Sequence, residues 1–315
     1  MISQCPSVKV LIKIITQRST EDHRVPQSRN TNNLQMPFLE LFDETLDINS
    51  TENYELSMQL SQDGFAFALL DTIRNKYVLL RSSEPDENKY YTADQIGEII
   101  SKDDFLMKKY KKVNMVFSSP KFTLVPAPLF DPAKKEEYFS FNLIKDENEV
   151  ILSNKIADPD AFIVFSVTKP FLNLRERFFP AVHPFHHTKP LLTQLAHYSK
   201  SSAGHYIHLH VEREYFNIFI YDHNTLTFSN TFKYRNISDI LYYVLNLFKN
   251  KGISNDETIH FSGETEKFDD LWSNFALYIR NLKFTDPAGN FTFSYVFNDI
   301  GLHRFINLFS VTSCE

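Results

Sequence analysis

One order of elements occurs twice along this chain, and that repetition limits the folds open to it more than any single motif does. In "LSMQLSQDGFAFALLDTIRNKYVLLRSS", residues 56–83, Leu56, Met58 and Leu60 alternate with polar positions before the turn "SQDG". Phe65, Phe67 and Leu69 continue after that turn, and "TIRNK" leads into "YVLL". Alternation broken by turn residues predicts a three-strand antiparallel meander. Thr92 and Gln95 then have capping-box spacing ahead of Ile96, Ile99 and Ile100, and the strand "VNMVFSS" follows at 113–119. "FTLVPAPLF" turns at its two prolines toward a short helix around 131–139, and "EVILSNKI" and "AFIVFSV" read as strands.

The second half opens the same way. "HYIHLHVEREYFNIFIYDHNTLTFSNTFKYR", 205–235, predicts three strands with turns at "EREY" and "DHNT". A helix follows, with Ser238 placed as its cap, Leu241, Val244, Leu245 and Phe248 on one face, and Gly252 to stop it. The strand "TIHFSGE" and a second helix at about 266–281 complete the unit. Two copies of one α/β order imply two similar lobes, 36–198 and 199–315, facing each other across a cleft, with a C-terminal helix free to pack back on the first.

Residues 17–35 carry almost no apolar side chains, so the first 35 residues are expected to be a disordered tail, with Met36 opening the folded part. The balance of 33 Lys and Arg against 39 Asp and Glu, a net charge of -6, excludes a sequence-independent grip on nucleic acid. "VLIKII" at 10–15 is too short and too charged for membrane insertion, and only Cys5 and Cys314 are present, so a reducing cytoplasm is expected.

Duplicated meanders, each followed by helix and strand, resemble the RNase-H-like, actin-like ATPase fold shared by actin, Hsp70-type chaperones, sugar kinases and pilus-assembly relatives. "LSMQLSQDGFAF", "FTLVPAPLF" and "HLHVEREYFNIFIYDHNTL" resemble, more narrowly, an uncharacterised bacterial family of unknown function with this fold, over roughly residues 54–310. That resemblance implies a nucleotide site at the two meander turns. Active members carry an Asp at the first strand end followed by Gly and Ser or Thr. Here Gln59, Ser61 and Gln62 stand there, with Asp63 and Gly64 moved into the turn. The second turn offers His210, Glu212, Arg213 and Glu214 in place of another Asp and a Gly pair, and Gly263 alone matches the adenosine-side glycine.

All seven glycines are isolated, so no glycine-rich phosphate cradle exists. Gly64 reads as a hairpin residue with positive φ. His208 and His210 share one strand face at a metal-ligand spacing, with His183, His186 and His187 close in sequence. No cysteine or carboxylate motif completes a set, so these histidines are expected to cap strand ends and to bind no metal. Aromatic runs are core, with Tyr242 or Tyr243 free to face a partner. The expectation is a protein- or peptide-binding scaffold without cofactor or hydrolysis. The enzyme-class alternative is a divergent ATPase in which Asp63 and Glu212, in equivalent turns, face each other and organise magnesium on ATP.

Overall fold

The computed structural model describes residues 38–85, 89–202 and 204–314. The disordered tail expected over the first 35 residues lies outside them. The chain opens with β1 (Phe38–Phe42), then runs through the meander β2 (Tyr54–Leu60), β3 (Phe65–Asp71) and β4 (Lys76–Ser83). Next come α1 (Ala93–Lys102) and β5 (Lys112–Phe117). Thr92 and Gln95 form the expected reciprocal cap of α1. A three-stranded antiparallel sheet of β6 (Phe122–Pro126), β7 (Glu149–Ile156) and β8 (Ala161–Thr168) follows, covered by α2 (Lys135–Asn142). Then α3 (Lys169–Phe178), β9 (Pro184–His186) and α4 (Thr188–Ser199) lead to the second half.

That half comprises β10 (His205–Val211), β11 (Tyr215–Asp222), β12 (Thr225–Lys233), α5 (Ile237–Lys251), β13 (Thr258–Gly263), α6 (Asp270–Ala276) and β14 (Asn281–Phe284). Its sheet has the order β12-β11-β10-β13-β14, with β10, β13 and β14 parallel. In the first sheet β4-β3-β2-β5-β9 has the same order, with β2, β5 and β9 parallel. The repeat read in the sequence is therefore a repeat of sheet topology.

Two helix expectations need correction. The cap of α5 is Asn236, whose side chain accepts the Asp239 amide, so the helix starts ahead of Ser238. Gly252 stops it as expected, at φ 67°. The helix expected over 266–281 is confined to 270–276. Phe268 has φ 69°, which breaks helical geometry, and the Asp269 carboxylate takes Thr265 Oγ1, Glu266 N and Trp272 N, which sets the start.

After β14 the chain returns to the first sheet. Strand β15 (Thr292–Phe293) pairs in parallel with the start of β4, and α7 (Ile306–Ser310) packs on β2, β3 and α4. Phe297, Leu308 and Phe309 thereby cover Ala66, Ala68, Leu70, Tyr77 and Leu80 on one sheet face. The opposite face joins α1, α3 and α4 in the main core, to which Tyr206, Phe219 and Tyr221 of the second sheet also contribute. No helix among the described residues is long and apolar enough to cross a membrane.

Candidate site in the cleft between the two sheets

The turns after β2 and β10 meet at one cavity of about 60 Å³, lined by Gln59, Ser61, Asp63, Gly64, Glu212 and Gly263. Six positions picked out from the two halves of the sequence thus share one wall, as their equivalent places in the two sheets require. Glu84, Glu264 and Arg304 line it as well. None of these three was singled out from the sequence, although Glu264 directly follows Gly263.

In the first turn Ser61 Oγ accepts the amides of Asp63 and Gly64, at 3.1 and 2.9 Å, and the Ser61 amide donates to the Gly64 carbonyl at 3.0 Å. These three N–H groups, those of Ser61, Asp63 and Gly64, are consumed inside the turn. Gly64 does not have the positive φ expected of it; only Gly252 and Gly263 among the described glycines do. What a side chain at Gly64 would meet is the Ser83 carbonyl of β4, 3.3 Å from an added Cβ. Gly263, at φ 85°, is needed more strictly: a Cβ there would stand 2.0 Å from the Val211 carbonyl oxygen. This glycine is explained by the approach of β13 to β10.

The carboxylates are crowded. Burial pushes Asp63 up to about 6, helped by Glu212 and Glu214 and opposed by Arg213. Glu212 is enclosed and raised by burial. Solvent reaches Glu264, yet it stands in the concave wall of the cleft. Loss of water around it, then repulsion from Glu212, Glu84 and Asp63, raises it too, against Arg304. Among the described residues no Lys or Arg is in ion-pair contact with Asp63, Glu212 or Glu264. The nearby guanidinium groups are engaged at the rim: Arg213 donates to the Lys89 carbonyl and lies over Tyr90, and Arg304 pairs with Glu84 and Glu266. The Tyr90 hydroxyl in turn meets Glu214, so the second turn is tied to the first half.

Behind Glu212 lies a buried polar chain. Glu212 Oε1 is 3.1 Å from His210 Nε2, which also accepts from Asn307 Nδ2 of α7 at 3.0 Å. His210 Nδ1 and His208 Nε2 are each 2.8 Å from Ser262 Oγ. With Nε2 accepting, His210 is neutral and protonated on Nδ1; Ser262 Oγ accepts that N–H and donates its own hydroxyl to His208 Nε2. Burial holds His210 down to about 3 and His208 well below its ordinary value. The two histidines do project together, as β spacing requires, but a serine hydroxyl stands where a metal would. They are interior residues of β10 and cap no strand end. No group of three or more His, Cys, Asp or Glu among the described residues is placed to hold a metal ion.

His186 and His187 are equally buried. His187 Nε2 meets Asn217 Oδ1 at 2.9 Å, joining the start of α4 to β11. Of the two tyrosines considered for a partner surface, Tyr243 stacks on Phe232, whereas Tyr242 is exposed.

A family model described as a protein of unknown function (DUF3822) matches residues 43–282. The chain belongs to that family. Among solved structures, a Bacteroides thetaiotaomicron protein with an actin-like ATPase fold and unknown function is 22% identical. It aligns with a TM-score of 0.74 over 86% of this chain and 100% of its own. The PilM–PilN type IV pilus biogenesis complex contains a chain 12% identical, with a TM-score of 0.53 over 83% of this chain and 98% of that one. At these identities the likeness establishes the fold: this is an actin-like ATPase fold. Among curated proteins none matches the chain.

Proposed function

We propose that this protein is a degenerate actin-like protein of the cytoplasm that binds a protein or peptide partner and does not hydrolyse ATP. The observation that carries the reading is the closure of the first turn on itself. A phosphate-binding turn offers free backbone N–H groups to the anion, and here Ser61 Oγ already takes those of Asp63 and Gly64. Asp63, Glu212 and Glu264, three of the four carboxyl groups lining the cavity, oppose a polyphosphate by direct repulsion when ionised. A volume of about 60 Å³ is also far below the ~300–1,000 Å³ of ordinary ligand pockets. Support for a protein partner comes from PilM, an actin-fold protein found in complex with PilN.

The nucleotide-binding alternative keeps one observation in its favour, since Asp63 and Glu212 do share the cavity. Calorimetry of the full chain with magnesium and up to millimolar ATP separates the two. The expected result is no saturable binding and no phosphate release. A dissociation constant below about 10 μM, near 7 kcal/mol, overturns the proposal. In that event Glu212→Gln distinguishes a carboxylate acting through a cation, which weakens on substitution, from one acting by repulsion, which strengthens.

A further inference from the structure

We propose that a second cavity, between the end of β14 and the returning chain, binds a small primary amine with an aromatic body. Its ammonium would be held by Asp286 and His303, and its ring would lie against Phe293 and Phe297. This cavity shares no lining residue with the one between the two turns, so the inference goes beyond the protein-binding reading and does not depend on it.

The space is of ligand size. It measures about 380 Å³, within the ~300–1,000 Å³ of ordinary small-molecule sites. Phe284, Phe293 and Phe297 supply aromatic wall, Asp286, Asn298 and His303 supply polar groups, and no Lys or Arg lines it. The loop that carries Asp286 is pinned to α4, where Tyr198 donates its hydroxyl to the Asp286 carbonyl and Gln194 bonds both the amide and the carbonyl of Ala288.

A buried acceptor without a donor carries the inference. His303 is 6% exposed. Its Nε2 lies 2.7 Å from the Thr265 carbonyl oxygen, which can only accept, so the ring proton sits on Nε2 and Nδ1 keeps a lone pair. Phe284 stacks on the ring with centroids 3.9 Å apart, which fixes its plane. Among the described residues no hydrogen bond reaches Nδ1. Gly301, also in the lining, leaves that edge of the ring uncovered. Its φ of -73° is ordinary for any residue, yet an added Cβ would stand 2.5 Å from Cε1 and 3.1 Å from Nδ1 of His303. A buried acceptor left unmatched is costly, and a donor on a ligand removes the cost.

Charge selects a cation. Among the described residues the Asp286 carboxylate has no hydrogen bond or ion pair, the Asn298 side chain has none either, and the Asp286 charge acts on the His303 ring. Burial, ahead of every other cause, holds His303 below its ordinary value, so the ring adds no positive charge at neutral pH. An ammonium brings one positive charge and three N–H donors to three acceptors, the Asp286 carboxylate, His303 Nδ1 and Asn298 Oδ1. The phenylalanine faces suit both an aromatic body and an adjacent cation. An anionic ligand would meet the Asp286 charge and an imidazole lone pair.

The test titrates the full chain at pH 7 with phenethylamine and with 2-phenylethanol, which keeps the ring and puts a hydroxyl in place of the ammonium. Calorimetry is expected to show saturable binding of the amine and binding of the alcohol at least tenfold weaker. Asp286→Asn, at an exposed position, is expected to weaken the amine about tenfold with an unchanged melting temperature. In nitrogen NMR the Nδ1 resonance of His303, assigned by its loss in His303→Gln, is expected to move toward the protonated value with the amine and to stay in place with the alcohol. No saturation by about 10 mM amine, equal binding of the two probes, unchanged affinity in Asp286→Asn, or a stationary Nδ1 resonance overturns the proposal. None of these outcomes involves ATP or a protein partner, so this inference and the proposed function fail separately.

Discussion

His187 Nε2 lies 2.9 Å from Asn217 Oδ1, and through this buried pair the helix that closes the first half is joined to the central antiparallel strand of the second. Asn217 also donates from Nδ2 to Thr231 Oγ1 at 2.7 Å, so its amide is fixed in one orientation. Asn217→Ala leaves the imidazole N–H unmatched in the interior and is expected to destabilise the protein by about 1–3 kcal/mol. Urea denaturation measures this, and a change below about 0.3 kcal/mol shows that the pair is not a joint.

The interior histidines make the protein acid-labile. Burial and the nearby His210 hold His187 down to about 3, burial holds His210 down to about 3, and burial holds His260 down to about 4, against an ordinary value of 6.5. Each binds a proton on unfolding that it refuses when folded, so stability is complete above pH 6.5 and is lost as pH falls toward 3. Urea midpoints are expected to drop steadily from pH 6.5 to 4. A flat profile over that interval contradicts the neutral network.

The cleft carboxyls act with the opposite sign. Asp63 is raised from 3.8 to about 6 when folded, so it holds a proton that the unfolded chain releases. Its contribution is present in full below about pH 4 and is lost as pH rises through 6; Glu212, raised by burial, and Glu264, raised by loss of water and then by repulsion from Glu212, Glu84 and Asp63, extend the loss upward. The doubly substituted Asp63→Asn, Glu264→Gln protein is expected to gain stability relative to the parent as pH rises from 5 to 8. A constant difference between the two across that range rejects the assignment.

Two glycines of similar φ separate backbone strain from contact. Gly252, at φ 67°, has open space where a Cβ would go, so Gly252→Ala is expected to cost about 1 kcal/mol. Gly263→Ala adds a collision with the Val211 carbonyl at 2.0 Å, and a loss of about 3 kcal/mol or more, or failure to fold, is expected. Thermal melts of the two variants side by side decide it; equal effects show that β10 yields to the new methyl.

Alternation and capping made the two meanders, α1 and the stop at Gly252 legible, because period-two burial and terminal hydrogen bonds are local. That Asp63 and Glu212 stand in equivalent turns followed from the repeat itself. Local reading failed where long-range contacts decide. Gly64 looks like a positive-φ turn residue, yet its constraint is the Ser83 carbonyl on β4. His208 and His210 look like ligands or caps until Ser262, 52 residues beyond His210, fills the space between them. Arg304 and Asn307 reach the cleft only because the chain doubles back, and Glu264 is marked by nothing except its place after a strand-end glycine.

The return of the chain to the first sheet bears on how the protein is made. Tyr77 donates its hydroxyl to the Phe309 carbonyl at 2.7 Å across 232 positions, and Thr292 pairs with Lys76. During synthesis at ~5–20 residues per second, the face of the first meander around Ala68 and Leu80 gains its cover only when Phe297, Leu308 and Phe309 have been made. Its earliest sheet is thus the last to be finished, and a nascent chain stalled within the second sheet presents that apolar face to chaperones.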